Sequence, residues 1–540
     1  MRIPIRDLGF LGAIAAGAAV VIGGMVRPMI RASALPNSAR AVVDRCPEDI
    51  VRRVDAAFRR QWTSEGLAPA GRAPELAIVR RISLALCGTI PSLEEIRRLE
   101  ALPEGRRADA WLDEILRDRR SADYLAERFA RVLVGTEDGP FLKFRRRRFV
   151  TWLSDAILAN RPYDAIVRDL IAGQGVWTDH PSTNFISVTF DPEKKTYDPE
   201  RLAARVARGF LGVRIDCAQC HDHPFQPWKR ADFRGISAYF GQVEHTLTGI
   251  SDRSGEFFVD DKKDGTRVAI EPRVPFLPEL DPKTGTRRER LARWVTDPRN
   301  DHFSKSTVNR AWALMFGRPL VEPIDDIPSG GDQPEPLKIL ADDFAANGFD
   351  LRRLLRSIAR TEAFAIDSTS DDSTPSIETR EAAWAVFPMT RLRPEQVAGA
   401  LLQSSKNETI DSNSHILIRL ATYGGVNEFV VRHGDPGEEE FNLEASSTIP
   451  QRLLMMNGEL VEKNINGELG NASTRIAILA PDDRKAVEVA YLVTLTRRPT
   501  AEERTHFEAR IAGTRGEDRK ERLADLIWTL LNSTEFSWDH

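Results

Sequence analysis

The 540-residue sequence has few cysteines, almost no net charge and no common nucleotide-binding or hydrolase motif. It contains four cysteines, and its 76 basic and 80 acidic side chains leave a formal net charge of −4. So small a charge provides no global attraction to nucleic acid, and we expect no nucleic-acid partner. The sequence also lacks a Walker phosphate loop, a Rossmann glycine fingerprint, a GxSxG elbow and an HExxH helix. Nothing in it therefore supports an enzymatic activity directly.

Long apolar runs are also scarce, and only Leu8–Val26 approaches the roughly 20 residues that span a bilayer as a helix. Small residues at 32–34 suit signal peptidase, but the run is longer than the apolar core of an ordinary signal peptide. We therefore expect residues 1–34 to be a signal anchor or signal peptide and favour an N-terminal hydrophobic helix. The rest of the chain would then be extracytoplasmic, on the periplasmic or cell-surface side, and either membrane-anchored or secreted.

The most informative feature that is present is the segment CAQCH, Cys217 to His221. Two thiols separated by two residues and followed at once by an imidazole form the minimal attachment site of a c-type haem. The thiols of Cys217 and Cys220 would add to the two porphyrin vinyl groups, and His221 would coordinate the iron as its proximal ligand. The sequence therefore predicts haem c at these three residues.

Two other uses of the same segment stay open. The thiols of Cys217 and Cys220 are also placed to close a tight disulfide, or to bind zinc together with His221 or His223. Zinc sites usually separate their ligand pairs by a dozen or more residues, whereas these four side chains lie within seven. The alternatives to haem are therefore zinc, with His223 as an alternative metal ligand, or no cofactor, with CAQCH as a structural clasp.

Apolar periodicity predicts a mainly α fold with a multi-helical extracytoplasmic body. Ile50, Val54 and Phe58 recur at helical spacing, and Ser92 with Glu95 forms a capping box at the start of another helix. Each capping side chain satisfies a backbone N–H group that the first helical turn leaves free. Most of the chain after the amino terminus is therefore expected to be helical.

Changes in composition divide the chain into segments. EFFV and RVAIEP flank a turn-forming KKDG and predict a small β hairpin insertion near 256–275. DSTSDDSTPS at 367–376 predicts a mobile loop, because its small polar residues cannot form a core. We expect a helical domain carrying CxxCH at 45–250, a β-like connector at 251–285 and a helical partner domain at 286–540.

Other polar groups have both a functional and a structural interpretation. The arginines of KFRRRRF, 143–149, suit sulfate, phosphate or carboxylate groups of a polymer, but most such runs are solvated faces. Asp325 and Asp326 suit a carboxylate site for acid-base work or a cation, or else helix capping or ion pairs with nearby arginines. Cys46 and Cys87 either form a disulfide or are buried thiols. Four distant side chains are candidates for a second axial ligand of the iron: His245, His302, Met315 and Met389.

Several long motifs resemble one bacterial family. RIDCAQCHDHPFQPWKRADFRGISAYF, 214–240, resembles the signature of the planctomycete cytochrome-like domain, found in a large group of uncharacterised proteins. TVNRAWALMFGRPLVEPIDDI, 307–327, and FAANGFDLRRLLRSIARTEAF, 344–364, resemble the partner domain that normally follows it. The resemblance extends from about residue 45 to the end of the chain. It implies that CAQCH is the family's cytochrome-like motif, and it implies no defined activity.

These observations predict an uncharacterised extracytoplasmic protein that carries a covalent haem for a redox or electron-transfer role and meets a redox partner. The alternative is a haem-free binding or scaffold protein that engages a surface polysaccharide or a partner enzyme. The surroundings of the motif distinguish the two. A haem needs an apolar pocket over His221, whereas a clasp needs its two sulfurs at bonding distance.

Overall fold

The computed structural model describes most of the chain after residue 47. The described residues are 48–136, 144–260, 267–328, 330, 333–369, 376–406, 408–411, 429–434, 448–459, 461–462 and 471–540. Helices account for most of them, so the prediction of a mainly α protein is confirmed. The segment predicted as a mobile loop at 367–376 lies largely outside the described residues.

The amino-terminal half is built from short helices joined by tight turns. The α-helices in this half are α1 (Glu48–Glu65), α2 (Glu75–Cys87), α3 (Leu93–Glu100), α4 (Arg107–Ile115), α5 (Arg119–Val134), α6 (Arg146–Leu158), α7 (Tyr163–Ala172), α8 (Asn184–Ser187), α9 (Pro199–Val206) and α10 (Arg230–Phe240). Single turns of other helix types are Pro181–Thr183, Ala207–Leu211 and Ile215–Gln219.

The carboxyl-terminal half continues the same pattern. Its α-helices are α11 (Arg287–Val295), α12 (Asp301–Phe316), α13 (Glu335–Ala346), α14 (Leu351–Ala359), α15 (Glu362–Ala365), α16 (Ile377–Ala382), α17 (Pro394–Ser404), α18 (Ile449–Asn457), α19 (Ala472–Leu479), α20 (Asp483–Leu495), α21 (Ala501–Ile511) and α22 (Gly516–Leu531). Short 3₁₀ turns lie at Pro278–Leu280 and Glu535–Ser537.

The strands of the described chain form four antiparallel two-stranded sheets. They pair β1 (Phe190–Asp191) with β2 (Thr196–Tyr197), β3 (Val243–Thr246) with β4 (Gly249–Asp252), β5 (Phe257–Asp260) with β6 (Arg267–Ile270), and β7 (Thr390–Arg391) with β8 (Trp538–Asp539). The β5–β6 pair is the hairpin predicted near 256–275. The hairpin β3–β4, just before it in the chain, was not predicted.

The predicted N-terminal hydrophobic helix has no support in the described part of the fold, and that part of the fold prediction needs correction. In the part of the chain that the structure describes, no helix combines the length and the apolar character needed to cross a bilayer. The helices there are short or carry a polar face. In α1, for example, Ile50, Val54 and Phe58 are buried, whereas Arg52 and Arg53 are exposed. The segment Leu8–Val26 itself lies outside the described residues.

Local sequence explains where individual helices begin. The Ser92 hydroxyl accepts a hydrogen bond from the backbone N–H of Glu95, and the Glu95 carboxylate accepts one from the backbone N–H of Ser92. This is the predicted capping box of α3. Thr286 and Glu289 start α11 in the same way. Such pairs satisfy donors that would otherwise be left without a partner at a helix start.

Buried apolar side chains form two clusters. The larger contains residues from Ile50 to Phe387, so helices on both sides of the β5–β6 hairpin share it. The smaller is built mainly from residues after β7, but it also includes Leu84 of α2 and Ile96 of α3. The predicted domain boundaries at 250 and 286 stay a prediction. The larger cluster contains side chains from both sides of the predicted connector at 251–285.

Arg81 of α2 connects two segments that are distant from each other along the chain. Arg81 is 1% exposed, and its Nη1 donates to the carbonyl oxygens of Phe364 and Ile366 at 2.8 and 2.7 Å. Its Nε donates to the carbonyl oxygen of His540 at 2.8 Å. Burial lowers the pKa of Arg81 to about 10, and the negative charge of Asp539 opposes that shift. The arginine thus supplies donors to carbonyl groups from two distant segments.

Candidate functional site

The CAQCH segment lies in the connection between α9 and α10. The chain leaves α9 through the turn Ala207–Leu211, and Gly212 then adopts the left-handed conformation with φ of 61°. A Cβ at Gly212 would lie 3.1 Å from Cδ1 of Ile327. Both the positive φ and this close approach favour glycine. The turn directs the next residues into the 3₁₀ helix Ile215–Gln219.

The period of that 3₁₀ helix exposes the two cysteines. With three residues per turn, side chains at i and i+3 lie on the same face. Ile215 and Ala218 are 1% and 0% exposed and pack into the larger core. Cys217 and Cys220, also three residues apart, are exposed and carry free thiols. The structure therefore presents both thiols on the outer side of the segment.

His221 is exposed and is oriented through its Nδ1 atom. That atom lies 2.8 Å from the carbonyl oxygen of Asp222. Because a carbonyl oxygen can only accept, Nδ1 carries the hydrogen, and in the neutral imidazole the Nε2 lone pair is then free. Histidines that bind metals commonly donate from their other ring nitrogen in this way. The His221 side chain is therefore in the tautomer that a metal ligand requires.

His223, the alternative metal ligand, has a different role. Its Nδ1 accepts hydrogen bonds from the backbone N–H groups of Phe225 at 3.1 Å and Gln226 at 3.0 Å. In the neutral ring the hydrogen is then on Nε2, which leaves no lone pair there for a metal. The backbone N–H of His223 also donates to the carbonyl oxygen of Trp228 at 2.9 Å. His223 therefore fixes the turn that follows the motif.

Four charged side chains hold the base of the motif. The Arg208 guanidinium contacts both carboxylate oxygens of Asp216, at 3.0 and 2.5 Å. Arg214 contacts Asp325, with 2.9 Å from Nε to Oδ1 and 2.7 Å from Nη2 to Oδ1. Hydrogen bonding to these carboxylates is the main cause that raises the pKa of each arginine. Asp325 is therefore part of an ion pair with Arg214, in agreement with its structural interpretation.

Asp326 fixes the chain on the other side of the motif. One carboxylate oxygen accepts from Nε2 of Gln226 at 2.9 Å, and the other accepts from the backbone N–H of Arg214 at 3.3 Å. The carbonyl oxygen of Gly212 also accepts from the backbone N–H of Ile327 at 2.7 Å. Residues 325–327 therefore hold the segments before and after the two cysteines at the same time.

The state of the thiols and of the imidazole bears on the choice among haem, zinc and a disulfide at CAQCH. Cys217 and Cys220 are not joined by a disulfide. Among the described residues, no group of three or more His, Cys, Asp or Glu side chains is arranged to hold a metal ion. Two free thiols with an adjacent free imidazole nitrogen are the groups that c-type haem attachment uses. The thiols and the imidazole therefore fit the attachment chemistry of a c-type haem.

The apolar pocket expected over His221 is neither of two cavities formed by the described residues. His221 lines neither the cavity near Tyr197 nor the small one near Leu355. Its neighbour Phe225 is 92% exposed. The surface around the motif is thus open and includes an aromatic ring that the rest of the protein leaves uncovered.

The two histidines considered as distant axial ligands are engaged elsewhere. Nδ1 of His245 lies 3.0 Å from the hydroxyl of Tyr197. The ring of His302 lies 4.3 Å from that of Phe276, and burial lowers the pKa of His302.

The two methionines differ in exposure. Met315 is fully buried in the larger core, as expected for a helix interior, whereas Met389 is 48% exposed. The structure singles out neither methionine as a ligand of an iron held by His221.

The remaining cysteines belong to another part of the molecule. Cys87, the last residue of α2, has a free thiol whose pKa is raised to about 12 by burial. Such a thiol is inert at neutral pH, because the thiolate is the reactive form. Of the two alternatives expected for Cys46 and Cys87, the structure contains the free thiol at Cys87, and Cys46 lies outside the described residues.

The basic run KFRRRRF is partly neutralised within the protein. Arg146 forms a bidentate ion pair with Glu127, with N–O distances of 2.9 and 2.8 Å. Its Nε also donates to the carbonyl oxygen of Gly135 at 2.8 Å. Arg145 places its guanidinium 5.7 Å from the ring centroid of Trp177. Lys143 lies outside the described residues.

A cavity that the sequence did not reveal lies between α8, β2 and the hairpin β3–β4. It has a volume of about 630 Å³ and opens to solvent. We call it the Tyr197–His245 cavity. Its lining includes Trp177, Ser187, Tyr197, His245, Leu247 and Ile250. These residues come from distant parts of the sequence and form no local motif, so only the fold brings them together.

Two family models match separate segments of the chain. The family model PSCyt2, a protein of unknown function (DUF1549), matches residues 53–245. The family model PSD1, also a protein of unknown function (DUF1553), matches residues 287–416. No curated protein and no solved structure matches the chain. The two matches cover more than half of the sequence, in the predicted order. The chain therefore belongs to the planctomycete-type family that joins these two domains of unknown function.

Proposed function

We propose that this chain is an extracytoplasmic protein that carries a covalent c-type haem at Cys217, Cys220 and His221 and serves in electron transfer. One observation carries the proposal. The structure exposes two free thiols, and the adjacent imidazole donates from Nδ1 to Asp222 and so keeps Nε2 free. These are the groups that haem attachment uses.

Attachment makes specific demands on these residues. Each thiol adds across one vinyl group, so that a carbon–sulfur bond forms and the thiol hydrogen moves to the other vinyl carbon, with no net oxidation. His221 supplies its Nε2 lone pair, and the Asp222 carbonyl keeps the ring in the required tautomer. When bound, the haem supplies a one-electron redox couple.

The exposure of the motif supports an electron-transfer role over a reaction in a buried site. Cys217, Cys220 and His221 are all exposed, and Phe225 next to them is 92% exposed. A redox partner could approach a group attached here without a large conformational change. The uncovered aromatic ring offers the apolar contact that interface cores commonly contain.

Neither criterion set for the motif is met, because His221 lines neither cavity and the two sulfurs are not bonded. The free thiols favour haem attachment over a structural clasp. A disulfide clasp requires bonded sulfurs, but both thiols are free. A zinc clasp with His223 would require its ring to give up the two backbone hydrogen bonds at Nδ1. Exposed neighbouring thiols outside the cytoplasm are also prone to oxidation, and conversion to thioethers removes that liability.

The direct test is to export the full chain from a host with an active haem c maturation system, denature it and record its absorption spectrum. We expect haem to remain with the unfolded polypeptide, because thioether bonds survive denaturation. Cys217→Ala and Cys220→Ala should each lose one thioether link, and the double variant should retain none. Cys87→Ala is the matched control, since Cys87 is outside the motif.

Absence of retained haem in the wild-type chain would contradict the proposal if a known c-type cytochrome matures in the same cells. Equal retention in the double cysteine variant would also contradict it. Mass spectrometry of the peptide that contains residues 217–221 provides a second readout, because attached haem adds its full mass to that peptide.

A further inference from the structure

The Tyr197–His245 cavity has the features of a ligand site of its own. Its volume of about 630 Å³ falls within the roughly 300–1,000 Å³ of ordinary small-molecule sites. We propose that it binds uncharged sugar rings of a polysaccharide chain. This proposal does not depend on haem, since no residue of CAQCH lines the cavity.

The wall of the cavity is held by a close contact between two backbone segments. The N–H of Gly175 donates to the carbonyl oxygen of Ile250 at 2.8 Å, and the N–H of Ile250 donates to that of Gly175 at 2.9 Å. A Cβ at Gly249 would lie 2.2 Å from the carbonyl carbon of Gly175. Only glycine permits this approach. The loop after α7 is therefore fixed to the hairpin β3–β4, which preforms the cavity.

Rings form much of its surface. Trp177, Tyr197 and His245 all line the cavity. Aromatic faces carry partial negative charge, and they attract the polarised C–H groups on the apolar face of a sugar ring. A lipid tail would gain from these faces too, but it would leave the polar groups of the lining without partners.

The polar groups that line the cavity are uncharged hydrogen-bond donors and acceptors. The hydroxyl of Tyr197 lies 3.0 Å from Nδ1 of His245. Ser187 is 3% exposed, and its hydroxyl has no hydrogen-bond partner among the described residues. A buried hydroxyl without a partner costs free energy, which a hydrogen bond from a ligand would recover. Sugar hydroxyls both donate and accept, and therefore suit such groups.

The charge of the lining selects against acidic ligands. Of the described residues that form the cavity, none is Lys, Arg, Asp or Glu. Burial also raises the pKa of Tyr197 to about 12, so its phenol stays neutral at physiological pH. A phosphate, sulfate or carboxylate inside the cavity would lose water without meeting an opposite charge in the lining, since Arg145, 5.7 Å from the ring centroid of Trp177, does not line the cavity. Neutral sugar rings incur no such penalty.

The mouth of the cavity suits a polymer. It opens to solvent beside Leu247, whose side chain is fully exposed on the tip of the hairpin β3–β4. A chain that places one or more rings inside can therefore continue past Leu247 into solvent. An enclosed cavity would accept only a free monosaccharide.

The test is isothermal titration of the full chain with neutral tetrasaccharides of gluco-, manno-, galacto- and xylo-configuration, followed by the same titration of variants. We expect at least one sugar to bind with a Kd below about 10 mM. Ser187→Ala should weaken that sugar about 5-fold, the equivalent of one hydrogen bond. Trp177→Ala should weaken it by about 10-fold or more.

Matched controls keep the result interpretable. Ser237→Ala removes another buried serine, one whose hydroxyl donates to the carbonyl oxygen of Phe233 at 2.9 Å. Trp528→Ala removes a partly exposed tryptophan of α22. Both should bind as the wild type does. Ser187→Ala should keep the wild-type melting temperature, because no internal hydrogen bond is lost.

Three results would overturn the proposal. The first is that none of the tetrasaccharides binds the wild-type chain. The second is that Ser187→Ala and Trp177→Ala bind the sugar as tightly as the controls do, which would place the site elsewhere. The third is that a sulfated tetrasaccharide binds more tightly than its neutral counterpart and that the same two variants abolish its binding.

Discussion

Arg214 and Asp325 form an ion pair that joins the two family domains, with 2.9 Å between Arg214 Nε and Asp325 Oδ1. Arg214 precedes the haem-type motif by three residues, and Asp325 lies in the second matched domain. The second domain therefore forms part of the support of the motif. This relationship offers a reason why the two domains occur in one chain.

We expect Asp325→Asn to loosen the motif more than it destabilises the protein. The substitution removes the charge that pairs with Arg208 and Arg214, whose side chains are about 40% exposed. Such half-exposed pairs are worth about 0–1 kcal/mol each. Hydrogen exchange of residues 214–228 should accelerate, whereas the free energy of unfolding should change little. Asp342→Asn, which breaks an exposed pair with Lys338, is the control and should leave that segment unchanged.

His221 and His223 should respond differently to substitution. His221→Ala removes the proposed axial ligand and should change the absorption spectrum of the attached haem. His223→Asn should preserve that spectrum, because an amide oxygen can accept the backbone hydrogen bonds that Nδ1 of His223 accepts from Phe225 and Gln226. His223→Ala lacks the acceptor and should reduce the yield of haem attachment. Equal spectra for His221→Ala and the wild type would contradict these roles.

The cysteines of the described chain should differ in the reactivity of their thiols. In protein made without haem maturation, iodoacetamide should label Cys217 and Cys220, which are exposed and free. Cys87 should stay unlabelled until the protein unfolds, because burial raises its pKa to about 12. Mass spectrometry of the proteolytic peptides distinguishes the sites. If Cys217 and Cys220 react only after reduction, they form a disulfide and the clasp interpretation is supported instead.

Asp55 should make stability depend on pH between about 4 and 6. Burial raises its pKa from 3.8 to about 6, so the folded protein binds a proton that the unfolded chain releases in this window. Its contribution to stability is therefore present at low pH and is lost as the pH rises through 6. Asp55→Asn keeps the acceptor for the backbone N–H of Glu362, which lies 2.7 Å from Oδ1 of Asp55.

Thermal melts of wild type and Asp55→Asn across that range provide the measurement. The variant should melt at a higher temperature above pH 6, and the difference should vanish near pH 4. Asp49→Asn changes an exposed carboxylate of the same helix and should show no such trend. A difference that is constant with pH would show that the ionisation of Asp55 is not responsible.

Arg81→Met should be among the most destabilising single substitutions. It leaves the carbonyl oxygens of Phe364 and Ile366 without their donor and removes one of the positive charges near the buried Asp539. Removing one member of a buried charged network costs about 3–5 kcal/mol. Urea unfolding measures the loss. Arg299→Met, on the exposed surface, should change the midpoint little, and an equal effect of the two variants would contradict the assigned role of Arg81.

The local features of the sequence were the most predictable. The apolar spacing of Ile50, Val54 and Phe58 was sufficient to predict α1, because a helix places residues three and four apart on one face. The capping box at Ser92 was equally clear, since its hydrogen bonds join residues three apart. The hairpin β5–β6 was found for the same reason: its signal is contained in a short stretch of chain.

Features that depend on distant contacts were missed or left open. The sequence could not decide whether Asp325 serves as a carboxylate site or an ion-pair partner, because Arg208 and Arg214 are more than 100 residues away. The Tyr197–His245 cavity was invisible for the same reason. The N-terminal hydrophobic helix was suggested by composition alone, and the described part of the fold gives it no support.

The sequence by itself determined the helical class, the family and the chemical identity of the motif, because these follow from residue types at short spacing. Only the tertiary structure decided how the motif is presented. It turns Ile215 and Ala218 into the core, exposes Cys217 and Cys220, and binds the segment to residues 325–327. Spacing along a chain specifies which groups are adjacent, but burial and hydrogen bonding between distant segments determine which of them remain free to react.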